Sequence, residues 1–151
     1  MSGRGDFPTR GSREEVEEGG TFAPKFDRDG LIACVTTDAR TGDVLMLAHM
    51  DATALHRTIA TGEAWYFSRS RGKLWRKGET SGHVQRVVEM RTDCDQDAIW
   101  MRVSQEGLGA CHTGRYSCFY RAVRLDGSGT LELRDSAKVF DPQSIYGQEK
   151  L

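Results

Sequence analysis

The chain has 151 residues, 38% hydrophobic and 28% charged, a balance that suits one soluble domain with a core of its own. Its formal net charge of -1 gives no general attraction to nucleic acid or to an anionic membrane. No apolar run approaches the roughly 20 residues of a membrane span. No basic-then-apolar leader opens the chain, so its four cysteines point to a reduced cytoplasm, where clustered thiols serve metals or catalysis.

Residues 1–20 are rich in Gly, Ser, Arg and Glu and are expected to be a flexible tail, with a single domain over 21–151. Residues 31–37 (LIACVTT) are apolar and β-branched and predict a strand; Thr41, Gly42 and Asp43 make a turn, and residues 44–48 a second strand. Cys34 in the first strand is expected to be a small buried hydrophobe. Asp51 suits a helix N-cap, Ala54, Leu55, Thr58 and Ile59 recur at helical spacing, and Gly62 supplies a stop. His56 lies off that stripe and should face solvent, while His49 at the strand end is expected to be structural. Residues 64–68 (AWYFS) predict another strand. Residues 68–83 then carry Arg69, Arg71, Lys73, Arg76 and Lys77 among glycines, with a turn at Gly72 and a loop over 78–82. Backbone amides and the Thr80 and Ser81 hydroxyls beside those cations suit phosphate groups; a solvated charged hairpin is the plainer reading. GxxxxGK[ST] is absent, so a nucleoside-triphosphate hydrolase is not indicated. Strands are further expected over 84–92, 99–103, 119–125 and 130–134, and Asp141–Pro142 hints at a late turn. The fold expected is α+β: β-rich, mostly antiparallel, with one main helix.

The chemistry concentrates in residues 93–121. DCDQDA sets Asp93, Asp95 and Asp97 around Cys94, and ACHTGRYSCFYR follows with Cys111, His112 and Cys118. If the acidic run is extended, the three carboxylates share one face and Cys94 takes the other. Oxygen ligands suit magnesium, calcium or manganese and thiolates suit zinc, so two metal positions are expected back to back. An EF-hand is excluded: with Asp93 at loop position one, the required Gly falls on Ala98 and the Glu on Ser104. A solvated acidic turn is the alternative, although three unpaired carboxylates between apolar strands would repel one another. Six residues separate Cys111 from Cys118, unlike the CxxC of zinc fingers. Three thiols plus water is the pattern of a catalytic zinc; His112 either closes the site as a fourth ligand or stays free to move protons. The H-x-E and P-C-x-x-C of nucleobase deaminases are missing.

The stretches VLMLAHM, TGEAWYFSRSRGKLWRKGETSGH, DCDQDA and ACHTGRYSCFYR together resemble the phosphoribosyl-AMP cyclohydrolases of histidine biosynthesis, over residues 31–121. The resemblance implies hydrolytic opening of the adenine ring of 1-(5-phosphoribosyl)-AMP between N1 and C6, giving the formimino carboxamide ribonucleotide. It implies an intertwined homodimer with active sites at the subunit interface. It implies magnesium on Asp93, Asp95 and Asp97, and zinc on Cys94, Cys111 and Cys118, the first thiol coming from the other subunit. The family's His after the second zinc Cys falls on His112. AHMD stands where AYMN is expected, so His49 and Asp51 are departures, and Tyr116 replaces a possible basic phosphate contact. The chain ends about 30 residues after the last motif, too soon for a fused pyrophosphohydrolase, so a monofunctional enzyme is expected.

The mechanism expected is attack on C6 by a zinc-activated water, with His112 as general acid/base and His83 as second candidate. Arg69, Arg71, Lys77, Thr80 and Ser81 are expected to bind the substrate's two phosphate ends. A different class of function remains: a zinc-stapled RNA-binding module, in which Trp65, Tyr66, Phe67 and Trp75 stack bases between the cations.

Overall fold

The computed structural model describes residues 7–107 and 109–134. Its centre is a four-stranded sheet in the order β2-β1-β6-β5, from β1 (Ile32–Asp38), β2 (Val44–Met50), β5 (Gln85–Thr92) and β6 (Ala98–Gln105). The β1–β2 and β5–β6 pairs are antiparallel hairpins, and the two hairpins join through a parallel β1–β6 pair, Cys34 opposite Ile99. Alternation along these strands decides the faces. Ile99, Met101 and Val103 of β6 are buried with Ile32 and Cys34 of β1, whereas Trp100 faces outward.

Helix α2 (Ala52–Thr61) covers the core with Ala54, Leu55 and Thr58. Asp51 caps it, accepting from the Ala54 amide at 2.7 Å, and Gly62 ends it at a φ of 75°, a left-handed conformation that favours glycine. The expected stripe is one residue too wide, because Ile59 is 52% exposed. A second sheet pairs β3 (Trp65–Ser68) with β4 (Lys73–Arg76), around the turn foreseen at Gly72. Buried polar groups tie it to the central sheet. The Tyr66 hydroxyl lies 2.8 Å from Thr36 Oγ1 and donates to Gln85 Oε1 at 2.7 Å, and Gln85 Nε2 donates to Gln105 Oε1 at 3.1 Å. Every member of that chain has a partner, which is what burying it requires.

Two stretches differ from expectation. Within residues 1–20, expected to be a flexible tail, residues 13–18 form helix α1 (Arg13–Glu18), and Val16 is buried. Ser12 and Glu15 cap it reciprocally, a capping box written in the sequence as S-x-x-E. The strand expected over 119–125 shortens to β7 (Arg121–Val123), paired with β8 (Leu131–Leu133). Asp141 and Pro142 lie outside the described residues. The fold is β-rich and mostly antiparallel, as expected, and no helix among the described residues is long and apolar enough to cross a membrane.

Candidate active site

The loop after β6 is fastened at both ends. Within it, the Ala110 amide donates to the Tyr116 carbonyl at 3.0 Å and the Cys111 amide to the Arg115 carbonyl at 3.1 Å. Outside it, the Ser117 hydroxyl donates to the Val44 carbonyl and the Cys118 amide to the Leu45 carbonyl, both at 2.7 Å. Folded back in this way, the loop sets the Cys111 and Cys118 thiols against each other. Cys111 is pushed down to about 5, first by the hydrogen bond from the Cys118 thiol, then, against burial, by Thr113 and the nearby His112. Cys118 is pushed up in return, because the pair shares one proton. Thr113 Oγ1 lies 2.9 Å from Cys111 Sγ. Two sulfurs held side by side, one inclined to ionise and the other sharing its proton with it, fit a thiophilic cation such as zinc. By contrast Cys34, fully buried in β1, is pushed up to about 12 by burial and stays an inert thiol, as expected.

Cys118 and His112 line a cavity of about 680 Å³ between β2, the β3–β4 hairpin and this loop. All five groups chosen from sequence for phosphate binding, Arg69, Arg71, Lys77, Thr80 and Ser81, line the same cavity. Among the described residues Arg69 and Arg71 have no carboxylate partner; Arg71 lies over the Trp75 ring, 6.0 Å from its centroid. Lys77 differs. It is 6% exposed, its Nζ donates to the Ala110 carbonyl at 2.5 Å, and burial pushes its pKa down against the pull of Cys118 and Cys111. Arg76, named in the cationic stretch but not among the phosphate contacts, also lines the cavity and is paired with Glu63 at 2.8 Å. His49, expected to be structural, lines it too. His56 is exposed, as expected, with its ring 6.2 Å from that of Phe7.

His83 is not among the cavity-lining residues. It is 8% exposed, its Nδ1 lies 3.2 Å from the Gly109 carbonyl, and burial lowers its pKa. A Cβ on Gly107 would collide with this ring, so both the glycine's φ of 84° and its bare backbone are needed there. His83 thus buttresses the start of the thiol loop.

The acidic run corrects the geometry expected of it. It is not extended; it is the turn that joins β5 to β6, with Gln96 at a φ of 58°. The carboxylates nevertheless converge, with one oxygen from each of Asp93, Asp95 and Asp97 all within 4.8 Å of one another. Convergence comes from the turn, in which Asp93 Oδ1 accepts from the Asp97 amide at 2.9 Å and the Ala98 amide at 3.1 Å. Asp97 is pushed up to about 6 by its hydrogen bonds with Asp93 and Asp95 and by their charge. An exposed oxygen cluster whose mutual repulsion raises the proton affinity of Asp97 fits a hard divalent cation. Among the described residues this is the only cluster of three or more such groups, so Cys94, exposed on the same turn, does not join Cys111 and Cys118 within one chain.

A family model described as phosphoribosyl-AMP cyclohydrolase matches residues 46–120, which include the cavity, the acidic turn and the thiol loop. Curated relatives of that name extend the likeness. That of Rhodopseudomonas palustris is 61% identical over 137 residues, 89% of this chain and 93% of the relative. That of Bradyrhizobium diazoefficiens is 65% identical over 133 residues, 87% of this chain and 94% of the relative. The chain belongs to the phosphoribosyl-AMP cyclohydrolase family. It is therefore an enzyme and a hydrolase, and a third cyclohydrolase, from Nitrobacter hamburgensis, covers 92% of it at 61% identity. Of the site residues chosen from sequence in this cyclohydrolase, Arg69, Arg71, Lys77, Thr80, Ser81, His112 and Cys118 line the cavity, whereas His83, Cys111 and the acidic turn do not. Sequence reasoning missed Met46 and Ala48, which line the cavity and whose only signal was strand alternation, and it named Trp75 only as a stacking surface for bases.

Proposed function

We propose that the chain opens the adenine ring of 1-(5-phosphoribosyl)-AMP by hydrolysing its N1–C6 bond, the third step of histidine biosynthesis. It acts as a cytoplasmic homodimer, with one cyclohydrolase domain over 21–151. The observation that carries this reading is the single cavity lined by the five phosphate-binding candidates together with His112 and Cys118. Its volume, about 680 Å³, falls within the usual range for small-molecule sites.

Arg69 and Arg71, with the Thr80 and Ser81 hydroxyls, hold the phosphate ends and so fix the purine over the thiol loop. Lys77, already bound to the Ala110 carbonyl, adds positive field from below. Cys111 and Cys118, with Cys94 of a second copy, are the zinc ligands of this reading. Zinc bound there supplies Lewis acidity, which brings the pKa of a water toward neutrality. Magnesium held by Asp93, Asp95 and Asp97, on the same turn as Cys94 and so brought by the same second copy, would supply a hard positive charge for substrate oxygens. The ribosyl group on N1 leaves the ring electron-poor and C6 electrophilic. Hydrolysis puts a carbonyl on C6 and a proton on N1, and His112, on the cavity wall, is the group that carries that proton. His83, tied to the Gly109 carbonyl, is the second candidate.

Turnover of phosphoribosyl-AMP, followed by the absorbance change of ring opening with zinc analysis alongside, tests this. Cys111→Ala is expected to lose both turnover and zinc. His112→Ala is expected to keep zinc while turnover falls by about 10²–10⁴-fold. Full turnover by Cys111→Ala without bound zinc rules the reading out.

A further inference from the structure

The part of the chain that grips the acidic turn is the stretch the sequence presents as a tail. Gln96 sits in that turn between Asp95 and Asp97, 5% exposed and with left-handed φ. Side chains other than glycine hold that conformation where their surroundings fix it. Here the surroundings are the N-terminal segment. Gln96 Oε1 accepts from the Ala23 amide at 2.8 Å, and its Nε2 donates to the Val16 and Thr21 carbonyls at 3.0 and 3.2 Å. The Gln96 carbonyl accepts from the Lys25 amide at 2.7 Å. Arg10 adds a fork, donating to the Asp95 carbonyl and to the Ala23 carbonyl, both at 2.9 Å.

The segment is itself anchored. Phe7 packs on Phe22 and Phe26 with ring centroids 5.6 and 6.0 Å apart, and all three rest against the core. It can therefore carry load into the turn. Three carboxylates forced together repel, and Asp93 Oδ1 alone among them is held by the turn's own backbone amides, those of Asp97 and Ala98. Holding the backbone at Asp95 and Gln96 from outside keeps the other two from splaying. The segment also lies outside residues 46–120, where the family model matches.

We propose that residues 7–25 form a strap, with Gln96 and Arg10 as its positioning residues, that presets the spacing of Asp93, Asp95 and Asp97 for a divalent cation. This rests on reading the triad as a cation site.

The test titrates Mn²⁺ into the zinc-loaded full chain and follows the free-ion resonance. Two variants loosen the strap independently. Gln96→Asn keeps a residue tolerant of left-handed φ but is one methylene too short to span the gap. Arg10→Gln removes the fork at the surface, and decides the matter should Gln96→Asn fail to fold. Both are expected to weaken Mn²⁺ binding by roughly 10–100-fold, the usual effect of groups that orient ligands. Arg10→Lys, which keeps one donor, recovers part of the loss. In metal-free protein the Asp97 and Ala98 amides exchange faster in both variants, and zinc content is unchanged. Wild-type affinity and exchange in both variants overturn the strap alone, as does a parallel loss of zinc, which marks general loosening. A wild-type chain that takes up no Mn²⁺ overturns the cation reading of the triad, and the strap with it.

Discussion

One hydroxyl ties the thiol loop to the first hairpin. Tyr116, between Cys111 and Cys118, donates to Asp38 Oδ2 at 2.6 Å, at the end of β1. Burial alone would raise the Asp38 carboxyl; the Tyr116 hydroxyl and the Arg40 amide outweigh it and hold the group below its ordinary 3.8. Tyr116 is pushed up from 10.0 to about 12, by burial first and then by the Asp38 charge. The two shifts bound a pH window. A lowered carboxyl stabilises the fold above its unfolded value, and that stability is lost as pH falls through 3.8 and below. A raised phenol stabilises below its unfolded value, and that stability is lost as pH climbs from 10 through about 12. Tyr116→Phe is therefore expected to cost about 1.5–3 kcal/mol at neutral pH, as for a hydrogen bond to a charged group. In denaturant titrations the gap from wild type should narrow below pH 4 and above pH 10; a constant gap would assign the loss to packing instead. From sequence, Tyr116 reads as a lost phosphate contact. Its true partner lies 78 residues away, and no local pattern encodes such a pairing.

Elements were legible where one periodicity and its punctuation agree. For α2, the Asp51 cap, the apolar spacing and Gly62 point to the same helix, and the first hairpin of the central sheet follows from apolar strands broken by turn residues at 41–43. Asp51→Ala leaves the Ala54 amide without its 2.7 Å acceptor and is expected to cost about 1 kcal/mol, read as a lower melting temperature. The cost should exceed that of an isolated helix end, because Thr58 of the same helix accepts from the Trp65 amide at 2.9 Å and so passes fraying on to β3. A melting temperature equal to wild type would show that burial of Ala54 and Leu55 holds the helix start without the cap. The acidic turn was legible in composition and not in shape. Alternate aspartates suit a strand face as well as a turn, and what selects the turn is Gln96, whose partners come from a segment 70 to 80 residues earlier. Helix α1 had its signal in Ser12 and Glu15, but six residues are too short for periodicity to show.

At the scale of the whole molecule, two features find no partner among the described residues. β7 and β8 pack chiefly on each other, leaving Val123, Leu131 and Leu133 more than half exposed, beside Phe119 at 57%. A two-stranded hairpin is marginal alone, and apolar surface of this kind is normally covered. The soft site meanwhile gathers Cys111 and Cys118 but not Cys94. In the homodimer proposed above, a second copy would meet both needs, covering the hairpin while lending its Cys94, and symmetry would make the exchange reciprocal. The consequence is arithmetic. Cys94→Ser and Cys111→Ser should each be unable to hold zinc. Mixed under conditions that exchange subunits, a heterodimer has one ruined site with both substitutions and one intact site with neither. Random pairing makes half the dimers mixed, so about a quarter of wild-type zinc, and of turnover, should return. Were each thiol set complete within its own chain, mixing two zinc-free variants would restore nothing, and the shared site would have to be abandoned.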